Sequence, residues 1–431
     1  MPEFHTTPSR WRTFRGLLVA GVSTSTLLLA ACGPAADVAA STPGNDSTSL
    51  SAPCVTLETR APESPDYAPA YASQTRACGI ASSAAYDVIV VARGIQQPWS
   101  VEPLPDGAFL VTEKSGQLRH VSAAGVVSAP ISGVPAVDPA RQGGLLDVAL
   151  SPNFGTDRTI YWSFSEPRTG GNGTSIARGV LSADYTRLSD VKVILATRPT
   201  YANNMHFGSR LAFGRDGFLY VTMGERSDAA TRGQAQQLDS HLGKTLRITT
   251  DGAPAPGNPF IGKSGALPEI WSYGHRNVQA SAFDGAGQFW TIEHGPRGGD
   301  ELNKVRPAVN YGWPRVSYGL EYSGQKMPGG TAHLEGMEEP VYFWSPVIAP
   351  SGAQFYSGDA FPAWRGSLFV GGLASMRLVR LVLKDGKVAG EEHLLTDRKQ
   401  RIRDVRQGRD GALYVVTDAV SAELWRISPK K

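Results

Sequence analysis

Between Tyr273 and Pro314 the chain carries three short blocks whose residue types could do chemistry together: Tyr273-Gly-His-Arg-Asn-Val-Gln279, Ile292-Glu-His-Gly-Pro-Arg-Gly-Gly-Asp-Glu301 and Asn310-Tyr-Gly-Trp-Pro314. They supply cations, amide donors, a bare Gly-Pro turn and two adjacent carboxylates. A surface loop gains nothing structural from that mixture. A site holding an anionic ligand beside a hard, oxygen-seeking cation uses all of it. Further along, Arg401 and Arg403 alternate on a strand pattern and so project to one face, where two guanidiniums suit carboxylates. Read alone, Arg276 also fits a loop salt bridge, and Arg401 with Arg403 a solvated edge.

The elements that must position these residues are short. The chain has 431 residues, 41% hydrophobic, with 48 glycines and 30 prolines, a composition for many strands joined by tight turns. The formal charge of +3 and the lack of a basic block exclude nucleic-acid binding through a cationic face. From Tyr86 onward one unit recurs, a turn (often Asp-Gly) leading into a β-branched and aromatic strand. Its versions are Pro105–Thr112, Thr159–Phe164, Arg215–Thr222, Gly285–Ile292, Trp364–Gly371 and Arg409–Thr417. Helical periodicity is nearly absent. Six such units predict an all-β, six-bladed β-propeller over residues 86–431, with insertions on one face around 225–280 and 295–355.

The N-terminus is a targeting segment. Arg10, Arg12 and Arg15 precede an apolar run from Leu17 to Ala31, too short for a membrane span. It ends in Leu29-Ala30-Ala31-Cys32, which resembles a lipoprotein signal over 1–31 with acylation at Cys32. An ordinary secretory signal is the alternative. Either predicts export to the cell envelope, periplasmic or outer surface. Residues 32–52 read as a flexible tether. In an oxidising compartment Cys54 and Cys78 are expected to close one disulfide in a lead-in over 53–85.

Six blocks, in order, make the chain resemble the soluble quinoprotein family of glucose/sorbosone and aldose sugar dehydrogenases. They are Gln142-Gly-Gly-Leu-Leu146, His206-Phe-Gly-Ser-Arg-Leu211, Gly274–Gln279, Glu293–Glu301, Asn310–Pro314 and Arg401-Ile-Arg-Asp404. The resemblance implies a propeller binding pyrroloquinoline quinone (PQQ) and Ca2+, oxidising an aldose at C1 to a lactone, and passing electrons to a separate acceptor. It implies His206 as general base, and Arg276 and Asn277 at the quinone oxygen. Gln142, Gln279 and His294 would sit in the same pocket, and Arg401 and Arg403 on the cofactor's carboxylates. The carbonyls of Gly295 and Pro296 would hold the calcium, with Asp300 acting on its shell and Glu301 either there or structural.

The chain departs from the family where a lysine commonly contacts the cofactor. Ala374 stands there, and Arg377 is the next cation along. Arg226 also stands where an amide or small residue is common, beside the expected sugar site. Two other readings are a calcium-dependent propeller lactonase or esterase and a non-catalytic carbohydrate-binding propeller.

Overall fold

The computed structural model describes residues 54–430, and the targeting segment, the tether and Cys32 lie outside them. The described chain forms six antiparallel sheets, five with four strands and one with three, each of consecutive strands except where the chain closes on itself. Their inner strands are Pro98–Pro103, Leu145–Leu150, Gly208–Phe213, Val278–Phe283, Pro350–Phe355 and Ile402–Gln407. Each inner strand packs on the next and the last on the first, giving the six-bladed propeller that the repeat predicts.

The repeated sequence unit is the second strand of every blade: Phe109–Glu113, Thr159–Arg168, Leu219–Met223, Phe289–Glu293, Leu368–Gly372 and Leu413–Thr417. The unit's hydroxyl residue explains part of its recurrence. Ser163 Oγ donates to the Ser209 carbonyl at 2.6 Å and Thr222 Oγ1 to the Val278 carbonyl at 2.8 Å, each tying one blade to the next. The ring is closed by a strand that the repeat does not contain. Tyr86–Gln96 pairs antiparallel with Ser421–Pro429, so the start of the propeller completes the last blade.

Apolar side chains fill the spaces between blades, with Trp162, Phe164, Trp364 and Phe369 among the largest fully buried. The middle of the ring is ionic. Asp147 accepts from Ser100 Oγ, from the Leu211 amide and from Arg210 Nη1 at 2.7–2.8 Å. Asp404 accepts from the Val101 amide at 3.0 Å. Asp147, so bonded, ties together the inner strands of the first three blades. Cys54 and Cys78 are disulfide-bonded. The lead-in they staple reaches the insertion between the third and fourth strands of the fourth blade through Ser64 Oγ, which donates to the Tyr318 carbonyl at 2.7 Å.

Candidate active site

Antiparallel strands put two kinds of chain segment at one end of a propeller, those entering an inner strand and those leaving a second strand. The candidate residues come from these two places. Gln142, His206 and Arg401 precede inner strands, and Gln279 and Arg403 are each the second residue of one. Lys114, Glu225, His294, Leu373 and Asp418 follow second strands. All of these except His206 and Glu225 line a cavity of about 550 Å³, together with Trp99 and Arg141. Four cations and one carboxylate in the lining make it a site for an anion.

Arg401 and Arg403 converge as their spacing predicts. Arg401 Nε reaches one oxygen of Asp418 at 2.6 Å, and Arg403 Nη2 the other at 2.8 Å. Burial would raise the Asp418 carboxyl, but the Arg403 and Arg401 charges outweigh it and hold the group below the usual carboxylate range. Asp418 thereby aligns both guanidiniums.

His206 is buried beside this cavity, its amide donating to Gln142 Oε1 at 2.8 Å. Its Nδ1 lies 2.8 Å from Glu225 Oε1. A carboxylate at Nδ1 assigns the proton to that nitrogen and leaves Nε2 as the acceptor. Burial, then the Arg276 charge, lower its pKa to about 4 despite Glu225, so the ring is neutral at ordinary pH. The backbone around it is left-handed at His206 (φ 46°), Arg226 (φ 74°) and Ser227 (φ 57°), a concentration of strain typical of functional sites. Gly224 is required here: a Cβ would stand 2.1 Å from the His206 carbonyl oxygen and 3.0 Å from Asn277 Oδ1.

Arg276 is set by Glu293, whose Oε2 accepts the Arg276 amide at 2.6 Å while Oε1 holds His275 Nδ1 at 2.8 Å. Its guanidinium donates to the His294 and Gly295 carbonyls at 3.1 and 2.8 Å and lies 5.2 Å from the Trp313 ring centre. Asn277 Oδ1 accepts from the Gly208 amide at 3.1 Å. Its Nδ2, His294 Nε2 and Arg276 Nε are buried with no partner within the protein, the signature of groups waiting for a ligand. His294 is held neutral, at about 3, by burial and then by Arg276.

Gly295 and Pro296 line a separate narrow crevice with Arg276, Glu293 and Glu301. Asp300 does not face it as a free ligand. Its Oδ1 accepts from the Gly295 amide, and its Oδ2 from the Ile348 and Ala349 amides, all at 2.8 Å. The carboxylate therefore shapes the turn that presents the Gly295 carbonyl. Burial pushes Asp300 up to about 7 against those three amides, and burial followed by the Glu293 charge raises Glu301. Among the described residues no cluster of three or more His, Cys, Asp or Glu forms a metal site. The crevice offers a hard cation backbone carbonyls, so its remaining ligands would come from a bound cofactor and water.

Two expectations are corrected. Arg226 does not face a substrate: it is buried, stacks 4.1 Å from the Phe207 ring centre, and donates to the Met205 carbonyl at 3.0 Å, clamping the loop before His206. Arg377 does not replace the missing lysine, because its Nη1 is held by His393 Nδ1 at 2.6 Å away from the cavity. Sequence reasoning passed over Glu225, Lys114 and Asp418. Lys114 and Asp418 each stand eight residues after the Asp of their unit's Asp-Gly turn and Glu225 nine after its own, so aligning the units would have brought the three side by side.

The sequence profile of the Glucose / Sorbosone dehydrogenase family matches residues 95–426. The chain belongs to that family. It is 43% identical over 354 residues to an aldose sugar dehydrogenase of Escherichia coli, covering 81% of this chain and 95% of that one. A crystal structure of a glucose dehydrogenase superposes with a TM-score of 0.78 at 44% identity, over 80% of this chain and all of the other. The PQQ-bound aldose sugar dehydrogenase of Streptomyces coelicolor aligns with a TM-score of 0.66 at 32% identity, over 81% and 100% of the two chains. As a glucose/sorbosone dehydrogenase-family member, this chain shares the propeller of those enzymes.

Proposed function

We propose that this protein oxidises aldoses at C1 to lactones with PQQ as cofactor and a separate electron acceptor. The observation that carries the proposal is the buried Glu225–His206 pair beside a cation-lined cavity. The residues fit the cofactor: the cavity has the size of a small-molecule site, its cations suit carboxylates, and Asn277 Nδ2 and His294 Nε2 are unpartnered donors or acceptors beside it. When bound, the quinone supplies the hydride acceptor.

The protein's own work is proton removal and orientation. His206 Nε2 accepts the proton of the anomeric hydroxyl, and Glu225 stabilises the imidazolium that forms. Arg276 and Asn277 would offer a positive charge and an amide donor to the quinone oxygen, stabilising negative charge there. Arg401 and Arg403, aligned by Asp418, hold carboxylates. The Gly295 and Pro296 carbonyls belong to the proposal as a calcium site completed by the cofactor, which requires Arg276 to release Gly295. Export and lipid attachment at Cys32 are proposed from the sequence; the Cys54–Cys78 disulfide supports export alone.

The test adds PQQ and calcium, singly and together, to apo-protein and follows quinone absorbance and aldose-dependent dye reduction. Turnover that needs PQQ supports the reading. Protein that retains no quinone absorbance and reduces no dye overturns it in favour of a lactonase or a carbohydrate-binding propeller.

A further inference from the structure

The cavity lining holds two cations that the reading above does not use, Lys114 and Arg141. Lys114 follows the second strand of the first blade, opposite no carboxylate that neutralises it fully, and lines the cavity with Arg403 and Asp418. Its backbone is pinned on three sides. The Lys114 amide donates to the Gln97 carbonyl at 3.1 Å, and its carbonyl accepts from the Leu145 amide at 3.3 Å. Gly144, at φ 124°, admits that carbonyl so closely that a Cβ there would stand 2.1 Å from the Lys114 oxygen. Its ammonium donates to the Arg141 carbonyl, a neutral partner that leaves the charge uncompensated. Burial, then the Arg403 charge, lower the Lys114 pKa, and the Asp418 charge offsets them only in part.

The balance of charge across the cavity makes the same point. Asp418 is shared between Arg401 and Arg403, so Lys114 and Arg141 have no carboxylate of their own in the lining. Arg141 Nε is engaged by Met205 Sδ at 3.4 Å, whereas the Lys114 ammonium keeps two of its three donors. Ala374 is exposed, brings no charge and is not part of the lining.

We infer that Lys114 is a cofactor-anchoring residue, gripping a carboxylate of the bound quinone from the first blade in place of the cation that Ala374 does not supply. The inference rests on the PQQ reading above. The ammonium has three donors and gives up only one to Arg141, so it binds an incoming carboxylate without breaking the loop.

The experiment is equilibrium titration of the apo full chain with PQQ, read as quenching of tryptophan fluorescence, since Trp99 lines the cavity. Lys114→Met is expected to weaken PQQ binding by about tenfold to hundredfold, the worth of one charge-assisted hydrogen bond. Lys114→Arg is expected to stay near wild type. Lys114→Gln separates charge from loop support, because its amide still donates to the Arg141 carbonyl while the charge is gone. Weakening in Gln as well as Met, with melting temperatures unchanged, upholds the inference. Wild-type affinity in Met, or in Gln while Met alone is weak, overturns it and makes Lys114 a loop support. Wild-type protein that binds no PQQ at all overturns the cofactor reading itself, and this inference with it.

Discussion

Replacing Glu225 by Gln probes the proton-transfer apparatus with a change of almost no volume. Glu225 is buried, its Oε1 lies 2.8 Å from His206 Nδ1, and its Oε2 accepts from the Ser227 amide at 2.8 Å. The substitution removes a charge and keeps the shape. A hydrogen bond to a charged group contributes about 1.5–3 kcal/mol, and this one strengthens as His206 becomes imidazolium, so the loss falls on the transition state. At 1.36 kcal/mol per factor of ten, kcat should drop about tenfold to hundredfold with KM little changed. The fall is larger if the Gln amide donates to Nδ1, because the ring proton then moves to Nε2 and the acceptor is gone. The assay is steady-state dye reduction by the PQQ-loaded enzyme across pH. A kcat within about twofold of wild type, with an unshifted pH profile, would refute Glu225 as the residue that fixes and charges His206.

Gly224→Ala should destabilise the protein by about 1–3 kcal/mol and abolish turnover, because its Cβ would meet the His206 carbonyl oxygen at 2.1 Å; urea unfolding and activity measure both effects. Cys54→Ser with Cys78→Ser opens a loop spanning 24 positions, and chain entropy sets the loss at about 3 kcal/mol in urea unfolding. Acidification should weaken the fold through His206. Its pKa falls from 6.5 to about 4 on burial, so its contribution is fully present above 6.5 and is lost as pH falls through 4. Denaturation midpoints measured from pH 7 to pH 4 should show that decline, and His206→Gln should flatten it.

The fold was legible because each blade repeats one turn and strand, and that strand is always the second of its sheet. What the repeat could not show was the closure, since Tyr86–Gln96 belongs to no unit and pairs with a strand at the far end of the chain. In the site, Arg401 and Arg403 were readable from their alternation, which held through to a shared partner, Asp418. Glu225 was not, because its meaning depends on His206 arriving from a different segment at hydrogen-bond distance. Arg226 misled for a related reason. A charged residue next to a site reads as facing it, yet a left-handed backbone turns this one inward to clamp a loop.

The central claim is that this propeller uses PQQ to oxidise aldoses with His206 as base. The most direct test compares aldose-dependent dye reduction by wild type and His206→Ala, each reconstituted with PQQ and calcium, with quinone absorbance read on the same samples. The account predicts equal quinone loading and a loss of turnover of about 10²–10⁴-fold in the variant. Equal loading with undiminished turnover in His206→Ala would contradict it.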